Sequence, residues 1–243
     1  MSGNLDISHA VMSKLPILKL WRYRCFLIKL IGTRIIALNQ SFNFRKMLHT
    51  YSLAISPNSE IIQLVSKIKK LLRAEIGESY GSENSQAHIT LFMFLSTEEN
   101  YVEVLEEFKR ILAGLKSFEL RFSGFGYFLN AKTFYIKPAK SSSKSIVDCC
   151  KNINANFEVD VKTNYLKCWT PGFSKPHMSV GRNMKKDWLE TAFRTFTEFE
   201  QTYTCDAFVI RKLNMKKGQF DVIATIPLLG QKSIDGQQLS LFG

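Results

Sequence analysis

Apolar residues recur from residue 51 onward in two alternating periods, one typical of strands and the other of amphipathic helices. The stretch YSLAISP predicts a strand that ends at Pro57. The segment that follows carries apolar side chains at helical spacing, which predicts a helix capped by Asn58 or Ser59. AHITLFMFL and TEENYVEVLEEFKRILAGL then predict a second strand and a second helix, the latter ending near Gly114.

The same order of elements returns in the second half of the chain. A hairpin over residues 117–139 is followed by a helix over 142–157, an extended stretch that ends in KPHMSVGR, another helix and two final strands over 202–214 and 219–229. Each half holds one histidine-bearing strand, followed by a helix and then by a strand pair. This repetition predicts an α+β fold of two packed lobes related by a pseudo-twofold axis.

The net charge of +12 favours an anionic partner, because a basic surface concentrates nucleic acid, nucleotide phosphate or anionic lipid. Residues 1–46 contain eight Lys or Arg and one acid, so they carry +7 of that charge. Lys29 and Arg34 interrupt the apolar run in this segment, which argues against a secretory signal and against a membrane span. An amphipathic organellar presequence stays open. We favour a true start at Met47 or Met12, with the upstream residues a translation-start artefact.

The five cysteines are odd in number and contain no C-x-x-C pair. A disulfide framework and a structural zinc site are therefore not expected, and a reducing cytoplasm is the predicted location. No linker rich in Pro, Gly or Ser separates the two halves. The predicted organisation is a basic N-terminal extension, a bilobal domain and a flexible tail, over residues 1–46, 47–230 and 231–243.

Two of the four histidines share a local pattern. His88 begins HITL and His177 begins HMSV, both of the form His, apolar, Ser or Thr, apolar. In a strand, side chains at i and i+2 share a face, so His88 and Thr90 point together, as do His177 and Ser179. A twofold axis between the lobes would bring both tetrads to a central groove. The alternative is a core histidine on each strand, but the matched pair of tetrads favours a site.

Two imidazoles and two hydroxyls suit the chemistry of a phosphodiester. One neutral imidazole deprotonates the attacking water or hydroxyl, while the other, protonated, donates to the leaving oxygen. The hydroxyls of Thr90 and Ser179 hold non-bridging phosphate oxygens. The sequence offers no cluster of carboxylates for a metal ion, so neither a metal nor another cofactor is expected.

The tetrads HITL and HMSV, about 90 residues apart, resemble the two signature motifs of the 2H phosphoesterase superfamily. YSLAISP followed by a helix and AHITLFMF is similar to its bacterial 2'-5' RNA ligase-like and cyclic phosphodiesterase branch. The resemblance covers roughly residues 50–228 and implies a bilobal fold with antiparallel-rich sheets lining a central cleft and helices outside. It also implies activity on 2',3'-cyclic phosphate or 2'-5' linked ends of RNA or nucleotides, with His88 and His177 catalytic and Thr90 and Ser179 binding phosphate.

Basic and aromatic residues near the second tetrad are secondary candidates. Lys175 and Arg182 flank it and are candidate contacts to phosphate or nucleic acid, although isolated surface charges are an equal alternative. Aromatic residues are candidates for base stacking, but most are expected in the core: Phe125, Tyr127, Phe128, Phe134, Tyr135 and Trp169.

The chain ends in a second motif of a different kind. QLSLF, at residues 238–242, resembles the peptide with which bacterial replication and repair proteins dock on the DNA polymerase sliding clamp. Gln238, Leu239, Leu241 and Phe242 are the candidate clamp contacts, unless these apolar residues fold back on the body. The sequence thus predicts a metal-independent phosphodiesterase, with a noncatalytic adaptor recruited to the clamp as the rival. A phosphoesterase for a small nucleotide such as ADP-ribose cyclic phosphate is a third option.

Overall fold

The computed structural model describes residues 47–172 and 175–231. Within these residues nine strands form one antiparallel sheet that curls into a half barrel, and five helices accompany it. The strands are β1 His49–Ile55, β2 Ile89–Ser96, β3 Phe118–Phe128, β4 Thr133–Pro138, β5 Cys168–Pro171, β6 Met178–Gly181, β7 Glu200–Cys205, β8 Ala207–Asn214 and β9 Gln219–Pro227. The helices are α1 Ser59–Ile76, α2 Glu98–Ala113, α3 Lys140–Asn156, α4 Val159–Tyr165 and α5 Lys186–Thr195.

The helix ends follow from local chemistry. The side chain of Asn58 accepts a hydrogen bond of 3.0 Å from the amide of Ile61, so Asn58 is the N-cap of α1. Gly77 ends this helix in the left-handed conformation, at φ 69°, which a residue without Cβ adopts at little cost. Thr97 caps α2 in the same way as Asn58, and Gly114 follows its last turn. The first two predicted strands and helices are confirmed.

The order of strands is symmetric about the centre of the sheet. It runs β7-β3-β4-β6-β2-β1-β8-β9, with β5 paired to β2 off this path. The boundary between β6 and β2 therefore divides the sheet into two lobes of four strands each, β2-β1-β8-β9 and β6-β4-β3-β7. The predicted bilobal α+β fold is confirmed.

The chain crosses between the lobes more often than the sequence predicts. The hairpin β3-β4 belongs to the first half of the sequence but joins β6 in the second lobe, whereas β8 and β9 return to the first lobe. The segment 202–214, predicted as one strand, is two strands divided at Asp206. β7 pairs with β3 on one side of the sheet and β8 pairs with β1 on the other. Both pieces have strand periodicity, so the pattern alone does not reveal the change of partner.

One apolar cluster extends through both lobes. It includes Phe92, Phe94 and Phe108 around the first lobe and Phe122 and Phe134 in the second, all at most 1% exposed. In the described part of the chain, no helix combines the length and the apolar character that crossing a bilayer requires. The predicted N-terminal extension and the QLSLF peptide lie outside the described residues.

Candidate active site

The two tetrads lie on neighbouring strands at the centre of the sheet. Strands β2 and β6 run antiparallel, and their register pairs Ile89 with Met178, the second residue of each tetrad. Both of these side chains are buried in the core. Since successive residues of a strand alternate between its faces, the residues on either side of this pair point to the face away from the core.

Those neighbours are the four polar residues of the tetrads. When the antiparallel register is continued by one residue in each direction, His88 stands opposite Ser179 and Thr90 stands opposite His177. Cβ atoms of directly opposed residues are about 4.5–5.5 Å apart. All four residues are half-buried. The histidines and hydroxyls therefore form one compact group on adjacent strands, a closer arrangement than the groove-spanning one that the sequence predicts.

Both imidazoles are held by the same local hydrogen bond. Nδ1 of His88 lies 2.7 Å from the carbonyl oxygen of Gln86, and Nδ1 of His177 lies 2.8 Å from that of Lys175. A carbonyl oxygen only accepts, so Nδ1 of each ring must carry a proton and donate. In the neutral ring Nε2 then has a free lone pair, and in the protonated ring Nε2 is a donor. Each histidine is thus set to move a proton at Nε2.

Two aromatic rings stand beside the second histidine. Tyr135 on β4 is the cross-strand partner of Ser179. Its ring lies 5.4 Å from that of His177, and the ring of Phe128 lies 5.1 Å away at an interplanar angle of 88°. These edge contacts limit the movement of the His177 imidazole.

A buried arginine lies near the first histidine. Arg211 on β8 is 3% exposed, and its Nη2 donates to the carbonyl oxygen of Phe220 at 3.1 Å. Its Nη1 is buried and has no hydrogen-bond partner among the described residues. Burial, followed by the charge of Arg182, lowers the pKa of Arg211 to about 10, so the group stays cationic at neutral pH. A buried cationic donor that the described chain leaves without a partner, such as Nη1 of Arg211, favours the binding of an anion.

A buried lysine adds positive charge to the same region. Lys69 on α1 is 3% exposed, and its amine donates to the carbonyl oxygens of Ser82 and Ser85 at 2.8 and 2.6 Å and to the Ser85 hydroxyl. These bonds hold the loop that leads into His88. Burial, then Arg182 and Arg211, lower the pKa of Lys69 to about 8. The three cations therefore lie close enough to repel one another.

The same cations act on the histidines. Burial, followed by the charge of Arg211, lowers the pKa of His88 to about 3, against the opposing effect of its bond to Gln86. Burial lowers the pKa of His177 as well; its bond to Lys175 opposes the change and Arg182 adds to it. Both imidazoles are thus neutral at pH 7 in the free protein. A bound phosphate, being anionic, would raise both pKa values and favour protonation of one ring.

Sequence comparison decides the family. The profile of the 2'-5' RNA ligase superfamily matches residues 53–216, more than half of the chain. The chain belongs to the 2'-5' RNA ligase superfamily. Membership of this superfamily, whose members are 2H phosphoesterases, supports a phosphoesterase- or ligase-type activity. No curated protein matches the chain by sequence.

Solved structures share the fold of this superfamily member. TT0787 of Thermus thermophilus is similar with a TM-score of 0.53 and 16% identity, over 75% of this chain and 100% of that one. E. coli LigT complexed with NADP+ is similar with a TM-score of 0.51 and 16% identity, and LigT complexed with 3'-AMP with a TM-score of 0.51 and 15% identity. Each match covers 75% of this chain and 99% of the LigT chain. At these identities the likeness establishes the fold alone.

The two basic residues predicted to flank the second tetrad differ in their surroundings. Arg182 adjoins the site, and its backbone forms a bridge with Gly81. Lys175 is exposed and lies over the ring of Phe128, with the amine 5.8 Å from the ring centroid. Within residues 47–172 and 175–231, no group of three or more His, Cys, Asp or Glu side chains is gathered as a metal site.

Sequence reasoning missed Lys69 and Arg211, although both leave a signal. Lys69 falls in the apolar stripe of α1, four residues after Val65 and three before Leu72, where a charged side chain is forced toward the core. Arg211 directly follows the apolar run AFVI of β8, on the face that carries Ser52, its partner on β1. A charge inside a buried pattern indicates a site more often than a charge on an exposed face.

The titration of His88 predicts how the stability of this superfamily member depends on pH. In the unfolded chain a histidine has a pKa of about 6.5, whereas burial and Arg211 lower the pKa of His88 to about 3 in the folded protein. At pH values between about 3 and 6.5, His88 is protonated in the unfolded chain and neutral in the folded protein. The free energy of unfolding should therefore fall as the pH drops from 6.5 to about 3, and His88 should contribute at most about 1.4 kcal/mol per pH unit to this fall. Above pH 6.5, His88 should make the free energy of unfolding no more dependent on pH.

The variant His88→Gln carries no titratable group at this position. Urea unfolding between pH 7 and 4 should show a smaller loss of stability for His88→Gln than for the unmodified protein. Identical pH dependence of the two proteins would mean that His88 is not held neutral by its surroundings.

Proposed function

We propose that the chain is a metal-independent phosphodiesterase that acts on 2',3'-cyclic phosphate or 2'-5' linked ends of RNA or nucleotides. The observation that carries the proposal is the register of β2 and β6, which sets each histidine opposite the hydroxyl residue of the other tetrad. A single phosphate placed over the Ile89–Met178 pair would meet both imidazoles and both hydroxyls. The proposed catalytic residues are His88 and His177, and the proposed phosphate-binding residues are Thr90 and Ser179.

The reaction on a 2',3'-cyclic phosphate uses both imidazoles in one displacement. One neutral ring accepts at Nε2 the proton of a water molecule whose oxygen forms the new bond to phosphorus. The bond from phosphorus to one ribose oxygen breaks, and the other ring, protonated, donates its Nε2 proton to that oxygen. The product is a ribose phosphomonoester and a free hydroxyl. The oxygen that lies beside each Nε2 sets which ring is base, which is acid, and which monoester forms.

The surrounding charges favour an anion in this position. Thr90 and Ser179 donate to the non-bridging oxygens, and Arg182 and Arg211 balance the negative charge that grows on them in the transition state. E. coli LigT, which shares the fold, has been solved in complexes with 3'-AMP, NADP+ and ATP. Those names support a nucleotide or an RNA end as the substrate of this chain.

The proposal is tested by turnover. Purified protein is incubated with 2',3'-cyclic mononucleotides, RNA ending in a cyclic phosphate, 2'-5' linked dinucleotides and ADP-ribose cyclic phosphate, with EDTA present, and the products are separated by chromatography. We expect ring opening or linkage cleavage that survives EDTA and has a bell-shaped pH dependence. No turnover of any of these substrates, or turnover abolished by EDTA, would refute the proposal.

Clamp binding by QLSLF stays a separate prediction from the sequence. Deleting residues 238–243 should leave hydrolysis in solution unchanged if the chain is an enzyme, and should abolish clamp binding if the peptide is an anchor.

A further inference from the structure

A groove opens directly beside the second tetrad. It has a volume of about 480 Å³ and runs from the end of β4 along helix α3. Its lining includes two aromatic rings and four lysines: Phe128, Tyr135, Lys137, Lys144, Lys151 and Lys175. We call it the α3 groove. The lysines on α3, Lys144 and Lys151, are not among the proposed catalytic or phosphate-binding residues, so this basic part of the groove has no role in the proposed reaction itself.

The aromatic end of the α3 groove adjoins the site. Phe128 and Tyr135 stack on each other, with ring centroids 4.3 Å apart and an interplanar angle of 26°. Both rings also make edge contacts with the imidazole of His177. Continuing the register of β4 and β6 by one residue sets Lys137 opposite His177, on the same face as Tyr135. A ligand in the groove is therefore continuous with a phosphate held by the tetrads.

The lining of the α3 groove as a whole is strongly basic. Four lysines against Asp148, the acid among its described lining residues, leave a charge of +3. Lys144 is ion-paired with Asp148 at 2.9 Å, one turn along α3. Lys144 and Lys151 are seven residues apart in the same helix and so lie on one face, about 10 Å apart along its axis. A row of lysines beside a stacked aromatic pair suits a single strand of nucleic acid, because lysines bind its phosphates and aromatic rings stack on its bases.

We propose that the α3 groove binds the single-stranded RNA segment on the 5' side of the reacting phosphate. This inference rests on the proposed function, since it makes the reacting group the 3' end of a strand rather than a free mononucleotide. Bases pack against the Phe128–Tyr135 pair, and the lysines neutralise the phosphates that follow. A mononucleotide reaches only the tetrads, whereas an RNA end gains the contacts of the groove.

The test compares two pairs of lysines. The variant Lys144→Gln/Lys151→Gln removes two charges from the α3 groove, and Lys67→Gln/Lys70→Gln removes two exposed charges from α1, outside it. Binding of a five-nucleotide RNA with a 3'-phosphate to the full chain is followed by fluorescence anisotropy at several salt concentrations. The logarithm of the affinity should fall less steeply with the logarithm of salt for the groove variant, by about 1.4 in slope for two lost phosphate contacts. The α1 variant should keep the slope of the unmodified protein.

Turnover separates this inference from the proposed function. The ratio of kcat/KM for cyclic-phosphate-ended RNA to that for a 2',3'-cyclic mononucleotide should exceed one, and should drop by roughly tenfold in the groove variant. An unchanged ratio of kcat/KM values, or equal salt slopes in all three proteins, would overturn the groove inference. Turnover of the mononucleotide in that case would still uphold the proposed function. RNA binding that depends on Lys144 and Lys151, in a protein that turns over none of the substrates of the turnover test, would uphold RNA binding in the groove and refute the proposed function.

Discussion

Alanine in place of His88 or of His177 should lower kcat for a 2',3'-cyclic nucleotide by about 10²–10⁴-fold, the usual loss when a general acid or base is removed. The proposed displacement needs both proton transfers, so each variant alone should be severely impaired. Neither imidazole supports the core. Each is half-buried, and its hydrogen bond reaches only the carbonyl two residues earlier in the chain.

His49 provides the matched control for these two variants. It lies on β1, half-buried and 3.7 Å from Glu98, and it belongs to neither tetrad. His49→Ala should keep kcat within about threefold of the unmodified protein, in the range of substitutions away from the reacting groups. Circular dichroism and urea unfolding should show that all three variants are folded. A His88→Ala or His177→Ala protein that is folded and retains full kcat would remove that histidine from the reaction.

Methionine in place of Arg211 should make the free protein more stable and the enzyme less active. Arg211 is 3% exposed, and its Nη1 has no hydrogen-bond partner in the part of the chain that the structure describes, so the folded protein bears the cost of a desolvated charge. Replacing such a group by an apolar side chain of similar length removes that cost. We expect the free energy of unfolding in urea to rise by about 1–3 kcal/mol at pH 7.

The same substitution should lower kcat/KM by about 10–100-fold, because the anionic substrate loses a buried cation near His88. The pKa of His88 is lowered in the unmodified protein by burial and then by the charge of Arg211, so it should rise when that charge is removed and stay below its ordinary value because the burial remains. Arg121→Met is the control: this exposed arginine on β3 pairs with Glu200, and its loss should change stability by less than about 0.5 kcal/mol. If Arg211→Met destabilises the protein and keeps full activity, Arg211 is a structural residue.

The periodicity of the sequence predicted the residues of the candidate site better than it predicted the pairing of strands in the sheet. Side-chain alternation in HITL and HMSV correctly set His88 with Thr90 and His177 with Ser179 on one face, because that geometry is local to a strand. Apolar periodicity likewise located α1 and α2, and the preference of Asn for the N-cap located the start of α1. Each of these features depends on residues a few positions apart.

Features that depend on distant partners were not predicted. The division of one apparent strand at Asp206 arises because β7 pairs with β3 while β8 pairs with β1 and β9, and strand periodicity is the same on either side of the break. The direct contact between the two tetrads follows from the pairing of β2 with β6, across 89 residues of chain from Ile89 to Met178. The roles of Lys69 and Arg211 depend on the same long-range packing, which brings α1 and β8 toward His88.

In the proposed reaction two imidazoles on adjacent strands act on one phosphodiester, one as base and the other as acid. The most direct measurement is turnover of two substrates by the unmodified protein, His88→Ala and His177→Ala: a 2',3'-cyclic nucleotide and a p-nitrophenyl nucleotide phosphodiester, whose leaving group needs no proton. Both variants should fail on the cyclic substrate, and one of them should recover to within about tenfold of the unmodified protein on the nitrophenyl ester, because it lacks only the acid. Equal impairment of both variants on both substrates, or impairment of neither, would contradict the division of roles.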